Sequence, residues 1–277
     1  MKNRLVISFL IILLLSGLFL LGRFIKRDVI AGSDSSLVNG EKDSINIESY
    51  LKEAEAFKLR GSLLEAKEIY LKLMEMSLSS NQINAVQKDL ENLNVAILFS
   101  GVQIEGSQLY EVLPGDSLSK IAKQFNTTIE LIKKANNIKD SVIRPAMKLR
   151  VLNGTFSIAV DKSQNILILK YNGTVIKTYS VSTGNNNSTP VGTYKIVTKL
   201  TDPVWYKDGK AIPPTSPENI LGTRWLGFDL PSYGIHGTIA PEDIGKQITQ
   251  GCVRMRNEEV EELYSLIPAG TEVVIVD

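Results

Sequence analysis

Two side chains in this 277-residue sequence are chemically singular: Cys252 is its one cysteine and His236 its one histidine. Cys252 sits in QGCVRM and His236 sixteen residues upstream in YGIHGT. Zinc chemistry is set aside, because a zinc site takes three or four nitrogen, sulfur or carboxylate ligands and no further cysteine or histidine exists to supply them. Neither a metal nor a cofactor is expected. What remains is a thiol nucleophile with an imidazole partner. A thiol with a reference pKa of about 8.5 becomes a thiolate near neutrality beside an imidazolium or a helix N-terminus. Gly251, directly before the thiol, gives a substrate close access and leaves successive backbone N–H groups for a developing oxyanion. Residue types alone keep a second reading open, in which Cys252 is a small buried apolar residue and His236 a structural one.

The segment that must position these groups, 155–277, reads as β. Thr155 to Val160, Ile166 to Tyr171, Val175 to Ser182 and Gly192 to Thr198 are β-branched or alternating, with Asn172-Gly173 as a hairpin turn. Leu200 to Thr223 holds Pro203, Pro213, Pro214 and Pro217 with Trp205 and Tyr206, which predicts a long loop serving as a lid or binding wall rather than a strand. Glu258 to Leu266 reads as a short amphipathic helix and Glu272 to Val276 as a closing strand.

Upstream, residues 108–152 read as a βααβ unit. Leu109 to Val112 and Met147 to Val151 are its strands, and Asp116 or Ser117 caps a first helix with Leu118, Ile121, Ala122 and Phe125 on its apolar face. Thr127 with Glu130 forms a capping box for the second helix. Residues 48–100 carry helical spacing in three stretches, with Ala66, Ile69, Tyr70 and Leu73 on one face and Ile83, Val86, Leu90, Leu93 and Ile97 on another. The stretch KLRGSLLEAKEIY resembles a tetratricopeptide helix-turn-helix, but only about one and a half units are present where such arrays need roughly three. A helical spacer or a small bundle with a protein partner is expected there. Residues 28–47 are polar and aperiodic, a spacer. Leu5 to Leu21 is apolar except for Ser16 and Gly17 and, with Gly22, reaches about 27 Å as a helix. Arg23, Lys26 and Arg27 follow without a cleavage site, so residues 1–27 read as an uncleaved signal anchor spanning a membrane at 5–22. Basic residues flank both ends and leave the orientation open. Lys and Arg total 31 against 30 Asp and Glu, no excess to hold a polyanion, so nucleic acid is not an expected partner.

These motifs carry two resemblances. Tyr110-Glu-Val, Pro114-Gly-Asp-Ser-Leu, Ile121-Ala, Phe125, Thr127-Thr, Asn136 and Ile143-Arg-Pro resemble a LysM domain. That resemblance implies binding of the N-acetylglucosamine-containing backbone of peptidoglycan or chitin, with Gly115, Asp116 and Ser117 on one side of a groove and Ile143 on the other. Turn and core duties are the alternative for these four residues. Ser182-Thr-Gly, Thr189-Pro-Val-Gly-Thr-Tyr, Leu221-Gly-Thr-Arg-Trp-Leu-Gly, Gly234-Ile-His-Gly-Thr, Ile244-Gly and Gly251-Cys-Val-Arg-Met resemble the L,D-transpeptidase (YkuD-like) catalytic domain. That resemblance implies an extracytoplasmic, mostly-β enzyme acting on peptidoglycan stem peptides. Cys252 would attack the carbonyl of the third stem residue and expel the terminal D-alanine, and a side-chain amine of another stem would resolve the thioester into a 3-3 cross-link. Water as acceptor would give a carboxypeptidase, and a protein acceptor would give attachment to the wall.

Carried over residue by residue, the resemblance makes Cys252 the nucleophile and His236 the base, with the Gly237 carbonyl orienting the imidazole. It gives the oxyanion N–H groups to Gly251 and Cys252. Arg254 would hold a substrate carboxylate, or else serve in a structural salt bridge, and Tyr233 and Trp225 would line the pocket. Gln250 departs from the pattern, since many members have histidine there; the base role stays with His236 and Gln250 bears on tuning. The expected architecture is a multidomain α+β chain: a transmembrane helix (1–27), a linker (28–47), a tetratricopeptide-like helical region (48–100), a βααβ LysM domain (108–152) and a mostly-β catalytic domain (155–277). The expected location is single-pass in the cell membrane with the body outside the cytoplasm, on glycan strands and stem peptides. The rival from another class is a non-catalytic wall-binding anchor.

Overall fold

Three helices open the described chain, α1 (Ser36–Leu59), α2 (Leu63–Met74) and α3 (Ser80–Leu98), the last two carrying apolar residues at helical spacing. The computed structural model describes residues 36–277, with side chains from Ile47 onward. The membrane segment expected at 5–22 lies outside the described residues, and no helix among the described residues is long and apolar enough to cross a membrane. α1 begins at Ser36, inside the stretch expected to be a spacer. That stretch contains no proline, and extending a helix backward from a packed segment gains one hydrogen bond per residue fixed. From Ile47 on, the three helices close over Ala54, Ala66, Tyr70, Leu73, Val86 and Leu93. α3 opens on a reciprocal cap, in which the Ser79 hydroxyl accepts from the Gln82 N–H and the Gln82 side chain accepts from the Ser79 N–H.

The βααβ unit follows as expected. β1 (Ser107–Glu111) pairs antiparallel with β2 (Lys148–Leu152), and α4 (Leu118–Gln124) and α5 (Ile129–Ala135) lie between them in sequence. Leu118, Ile121, Ile132, Leu149 and Val151 form its core. Ser117 caps α4. The second cap is Thr128, one residue later than expected: its hydroxyl accepts from the Leu131 N–H at 2.9 Å and donates to the Ser265 carbonyl. Thr127 is buried with no partner for its hydroxyl. The displaced cap ties this unit to the β-domain. Leu131 enters the β-domain core together with Val95 and Leu98 from α3. Arg150 is 2% exposed and donates from Nη1 to the Leu98 and Ser100 carbonyls, which fixes the end of α3 against β2.

Residues 155–277 fold around an eight-stranded sheet. Its strands are β3 (Phe156–Asp161), β4 (Ile166–Tyr171), β5 (Thr174–Ser180), β7 (Gly192–Thr201), β10 (Arg224–Phe228), β11 (Gly234–His236), β13 (Val253–Arg254) and β14 (Glu272–Val276), in the order β13-β11-β10-β7-β14-β3-β4-β5. A small pair, β6 (Thr183–Gly184) with β12 (Gln247–Thr249), lies outside the main sheet. α6 (Asn257–Leu266) buries Val260, Leu263 and Leu266 in a core with Ile158, Leu169, Ile196, Leu226 and Ile235. The segment expected to be an unbroken loop, 200–223, holds a hairpin of β8 (Trp205–Lys207) and β9 (Lys210–Ile212). Asp208 and Gly209 turn it with φ of 50° and 76°, the Asp-Gly turn that a two-residue hairpin favours. The prolines flank this hairpin and do not interrupt it.

Both tryptophans, Trp205 and Trp225, belong to the β-domain, so their fluorescence reports its unfolding. Leu131→Ala, made in the βααβ unit, is expected to lower the stability read from that fluorescence by about 2–5 kcal/mol, because the cavity opens in a shared core. An unchanged urea transition in the variant would show that the two regions unfold independently.

Candidate active site

The end of the sheet brings the singular residues together. β11 runs parallel to β13 with Ile235 opposite Val253 and His236 opposite Arg254. His236 ends β11 and Cys252 stands directly before β13, so a sixteen-residue separation becomes adjacency on neighbouring strands. Cys252, His236, Arg254 and Gln250 line one cavity of about 620 Å³, and Trp205 and Tyr206 of the β8–β9 hairpin form its wall together with Trp225 and Tyr233. The hairpin thus takes the wall role expected of that segment.

Local backbone demands explain the residues around the thiol. Gly251 has φ +119°, and a Cβ there would lie 2.6 Å from the Tyr233 ring. Only glycine fits. Thr249 then organises the turn: its hydroxyl donates to the Cys252 carbonyl at 2.6 Å and accepts from the Gly251 N–H at 3.2 Å. The Gly251 N–H is therefore hydrogen-bonded within the turn. The Cys252 N–H has no acceptor among the described residues. The thiol itself donates to the Ser232 carbonyl at 3.5 Å rather than to the imidazole. Neither Thr249 nor Ser232 was legible as a site residue, since a threonine and a serine in turns carry no distinguishing spacing.

His236 is 2% exposed, and its Nδ1 lies 2.7 Å from the Gly237 carbonyl oxygen. A carbonyl only accepts, so Nδ1 carries a proton. Trp225 stands opposite His236 on β10 and stacks on its ring at 6.0 Å and 22°. The indole occupies the space that a Cβ at Gly227 or Gly234 would need, 2.6 Å and 2.9 Å from its nearest atoms. Gly237 and Trp225 are thus the two residues in direct contact with the imidazole ring on its Nδ1 edge and one face.

Burial sets the charges. It lowers the His236 pKa to about 4; the nearby Arg254 cation pushes the same way, and the Gly237 and Leu221 carbonyls oppose it. Burial also raises the Cys252 thiol, against the pull of the Gly234 N–H and Arg254. Burial thus disfavours charge on both groups and works against the resting thiolate expected from the sequence. Neutral imidazole with Nδ1 protonated leaves a lone pair on Nε2, the form a general base requires. Arg254 makes no ion pair among the described residues; Asp243 lies in its field without pairing, and its buried Nε has no partner. The structural salt bridge is thereby ruled out for Arg254. Gln250 is exposed at the cavity.

In the βααβ unit, Gly115 is exposed with φ +86°, Asp116 accepts from the Tyr110 hydroxyl and the Leu113 N–H at 2.7 and 2.8 Å, Ser117 is the helix cap, and Ile143 packs on the core. Asp116 and Ser117 spend their side chains inside the unit, which favours the turn reading for both.

A low folded pKa has a defined sign. As pH falls below about 6.5 the unfolded chain protonates its histidine while the folded chain does not, so stability is lost between about 6.5 and 4, by roughly 3 kcal/mol over the window. Urea unfolding across that range should show this component in wild type and not in His236→Gln. Equal pH dependence in both would place the imidazole in water.

The comparisons with known proteins converge on one family. Residues 155–275 match the model of the YkuD L,D-transpeptidase catalytic domain, and residues 110–151 match the LysM domain. YqjB of Bacillus subtilis, named as an L,D-transpeptidase, is 41% identical over 132 residues, which span 46% of this chain and 74% of that protein. YkuD of the same species, named likewise, is 32% identical over 174 residues, 60% of this chain and 97% of that protein. A solved L,D-transpeptidase from Mycobacterium smegmatis aligns at 16% identity and TM-score 0.39, over 48% of this chain and 64% of its own. The chain belongs to the L,D-transpeptidase family, with a YkuD-type catalytic domain joined to a LysM peptidoglycan-binding domain.

Proposed function

We propose that the chain forms 3-3 cross-links in peptidoglycan through an acyl-enzyme on Cys252. The observation that carries this reading is the unpaired Arg254 guanidinium beside the thiol in one cavity. Arg254 is half-buried with its Nε buried and unpartnered, and a guanidinium left without an ion pair is free to hold a carboxylate bidentately. A stem peptide supplies carboxylates close to its scissile bond. With one held by Arg254, the thiol leaves Ser232 and gives its proton to His236 Nε2 as sulfur attacks the stem carbonyl. The Cys252 N–H donates to the oxyanion. Collapse breaks the C–N bond, and the imidazolium returns its proton to the departing D-alanine amine. A thioester remains. An acceptor amine then attacks it, gives a proton to His236, and frees the thiol.

Trp205, Tyr206 and Trp225 make the cavity wall apolar, and water is a poor competitor for a thioester in such surroundings. That favours an amine acceptor over the carboxypeptidase reaction, whether the amine belongs to a stem or to a protein. The LysM unit would hold the glycan near this site, with Gly115 and the loop of Ile143 at the groove. The apolar run at 5–22 would anchor the chain in the membrane with both domains outside the cytoplasm, a reading that rests on the sequence of that run. A protein partner for the helical region rests on its tetratricopeptide-like stretch.

Intact-mass measurement after incubation with a carbapenem or a tetrapeptide stem should show one adduct, absent in Cys252→Ala. An adduct that survives the substitution would refute the assignment. His236→Ala should abolish turnover, a loss of about 10²-fold or more, whereas Gln250→Ala should only reduce it. Equal, complete loss in both would move the base role away from His236. Muropeptide analysis by mass spectrometry would separate 3-3 dimers from trimmed stems.

A further inference from the structure

The Gly237 carbonyl can hold the His236 proton on Nδ1 only if the peptide that carries it is itself held. Gly237 follows the end of β11, and its N–H donates to the Arg224 carbonyl of β10 at 3.3 Å, but the next peptide, which carries its carbonyl, lies beyond that last sheet bond. We infer that Asn257, the first residue of α6, is the positioning residue that fixes the tautomer of His236. Its Oδ1 accepts from the Thr238 N–H at 3.0 Å and from the Thr223 N–H at 3.3 Å, and its Nδ2 donates to the Thr238 carbonyl at 2.9 Å. One amide thus grips the Gly237–Thr238 segment and ties it to the strand that follows Gly222.

The fit is close on both sides. A Cβ at Gly237 would lie 2.2 Å from the Asn257 Oδ1, and one at Gly222 would lie 2.3 Å from it. Both glycines of Leu221-Gly-Thr and His236-Gly-Thr are therefore what admits the amide. α6 is anchored by Val260, Leu263 and Leu266 in the core, so Asn257 transmits the position of a packed helix to the carbonyl. Without the clamp the carbonyl is free to turn, and an imidazole left to itself favours the proton on Nε2. In that form Nε2 has no lone pair to take the proton of Cys252. This role rests on the reading of His236 as base, and it concerns an atom of the ring that can be observed without any turnover.

Because His236 is the one histidine in the chain, its two ring nitrogens are assigned without ambiguity in a long-range proton–nitrogen NMR spectrum of the full ¹⁵N-labelled protein. At pH 7 the wild type should show Nδ1 protonated and Nε2 bare. Asn257→Ala should shift both nitrogens toward the Nε2-protonated form and slow acylation by a carbapenem about 10- to 100-fold, with the KM for a stem peptide little changed. Asn257→Asp keeps an oxygen for the two N–H donors but loses the Nδ2 donor to the Thr238 carbonyl, and should restore part of the wild-type ring pattern and of the rate. The inference is overturned if folded Asn257→Ala keeps the wild-type nitrogen shifts, if Asn257→Asp matches Asn257→Ala, or if the wild type itself carries its proton on Nε2. A tautomer shift in a protein whose wild type acylates with no substrate would instead leave the positioning role standing and remove the proposed function.

Discussion

The site depends on one hydrogen bond, from His236 Nδ1 to the carbonyl of the next residue, made by a side chain only 2% exposed. Burial keeps the imidazole neutral, and the carbonyl decides which nitrogen bears the proton. Everything nearby serves one of these two conditions. Trp225 covers one face of the ring over a floor of two glycines, Met255 holds the His236 carbonyl at 2.8 Å, and the apolar strands behind exclude solvent. Arg254 adds a cation that disfavours imidazolium and favours thiolate, so its two effects oppose each other in proton transfer from Cys252 to His236. A neutral pair of this kind waits for its substrate, whereas an ion pair would present a reactive thiolate at all times.

The remainder of the described chain is fastened to this domain. Thr128 and Lys134 of the LysM unit both reach Ser265 of α6, Leu131 enters the catalytic core, and Arg150 holds the end of the helical region. α6 therefore meets the glycan-binding module at its C-terminal end and the histidine clamp at its N-terminal residue. Only residues 153–155 separate β2 of the LysM unit from β3 of the catalytic domain, so no long tether lies between them.

Much of this was legible in the sequence, for identifiable reasons. Cys252 and His236 stood out because each is unique, and the strands and helices stood out where period and turn residues agreed, as at Asn172-Gly173 and at the 3-4 spacing of α3. The β8–β9 hairpin was hidden by surrounding prolines, although its Asp208-Gly209 turn carried the signal. The cap at Thr128 rather than Thr127 depended on a partner 137 residues away. The pull of burial on the His236 and Cys252 charges was not legible, because local sequence does not encode burial. Asn257 looked like a helix-start residue, and its reach to Thr223 and Thr238 exists only in three dimensions.

The claim that Cys252 and His236 rest as a neutral pair is tested most directly by ultraviolet titration of the thiolate, taking the wild type less Cys252→Ala. With one cysteine in the chain the difference has a single source. The account predicts no thiolate absorbance at pH 7 and a rise only above the ordinary thiol range. A full thiolate band at pH 7, lost only in acid, would contradict it and establish an imidazolium–thiolate pair.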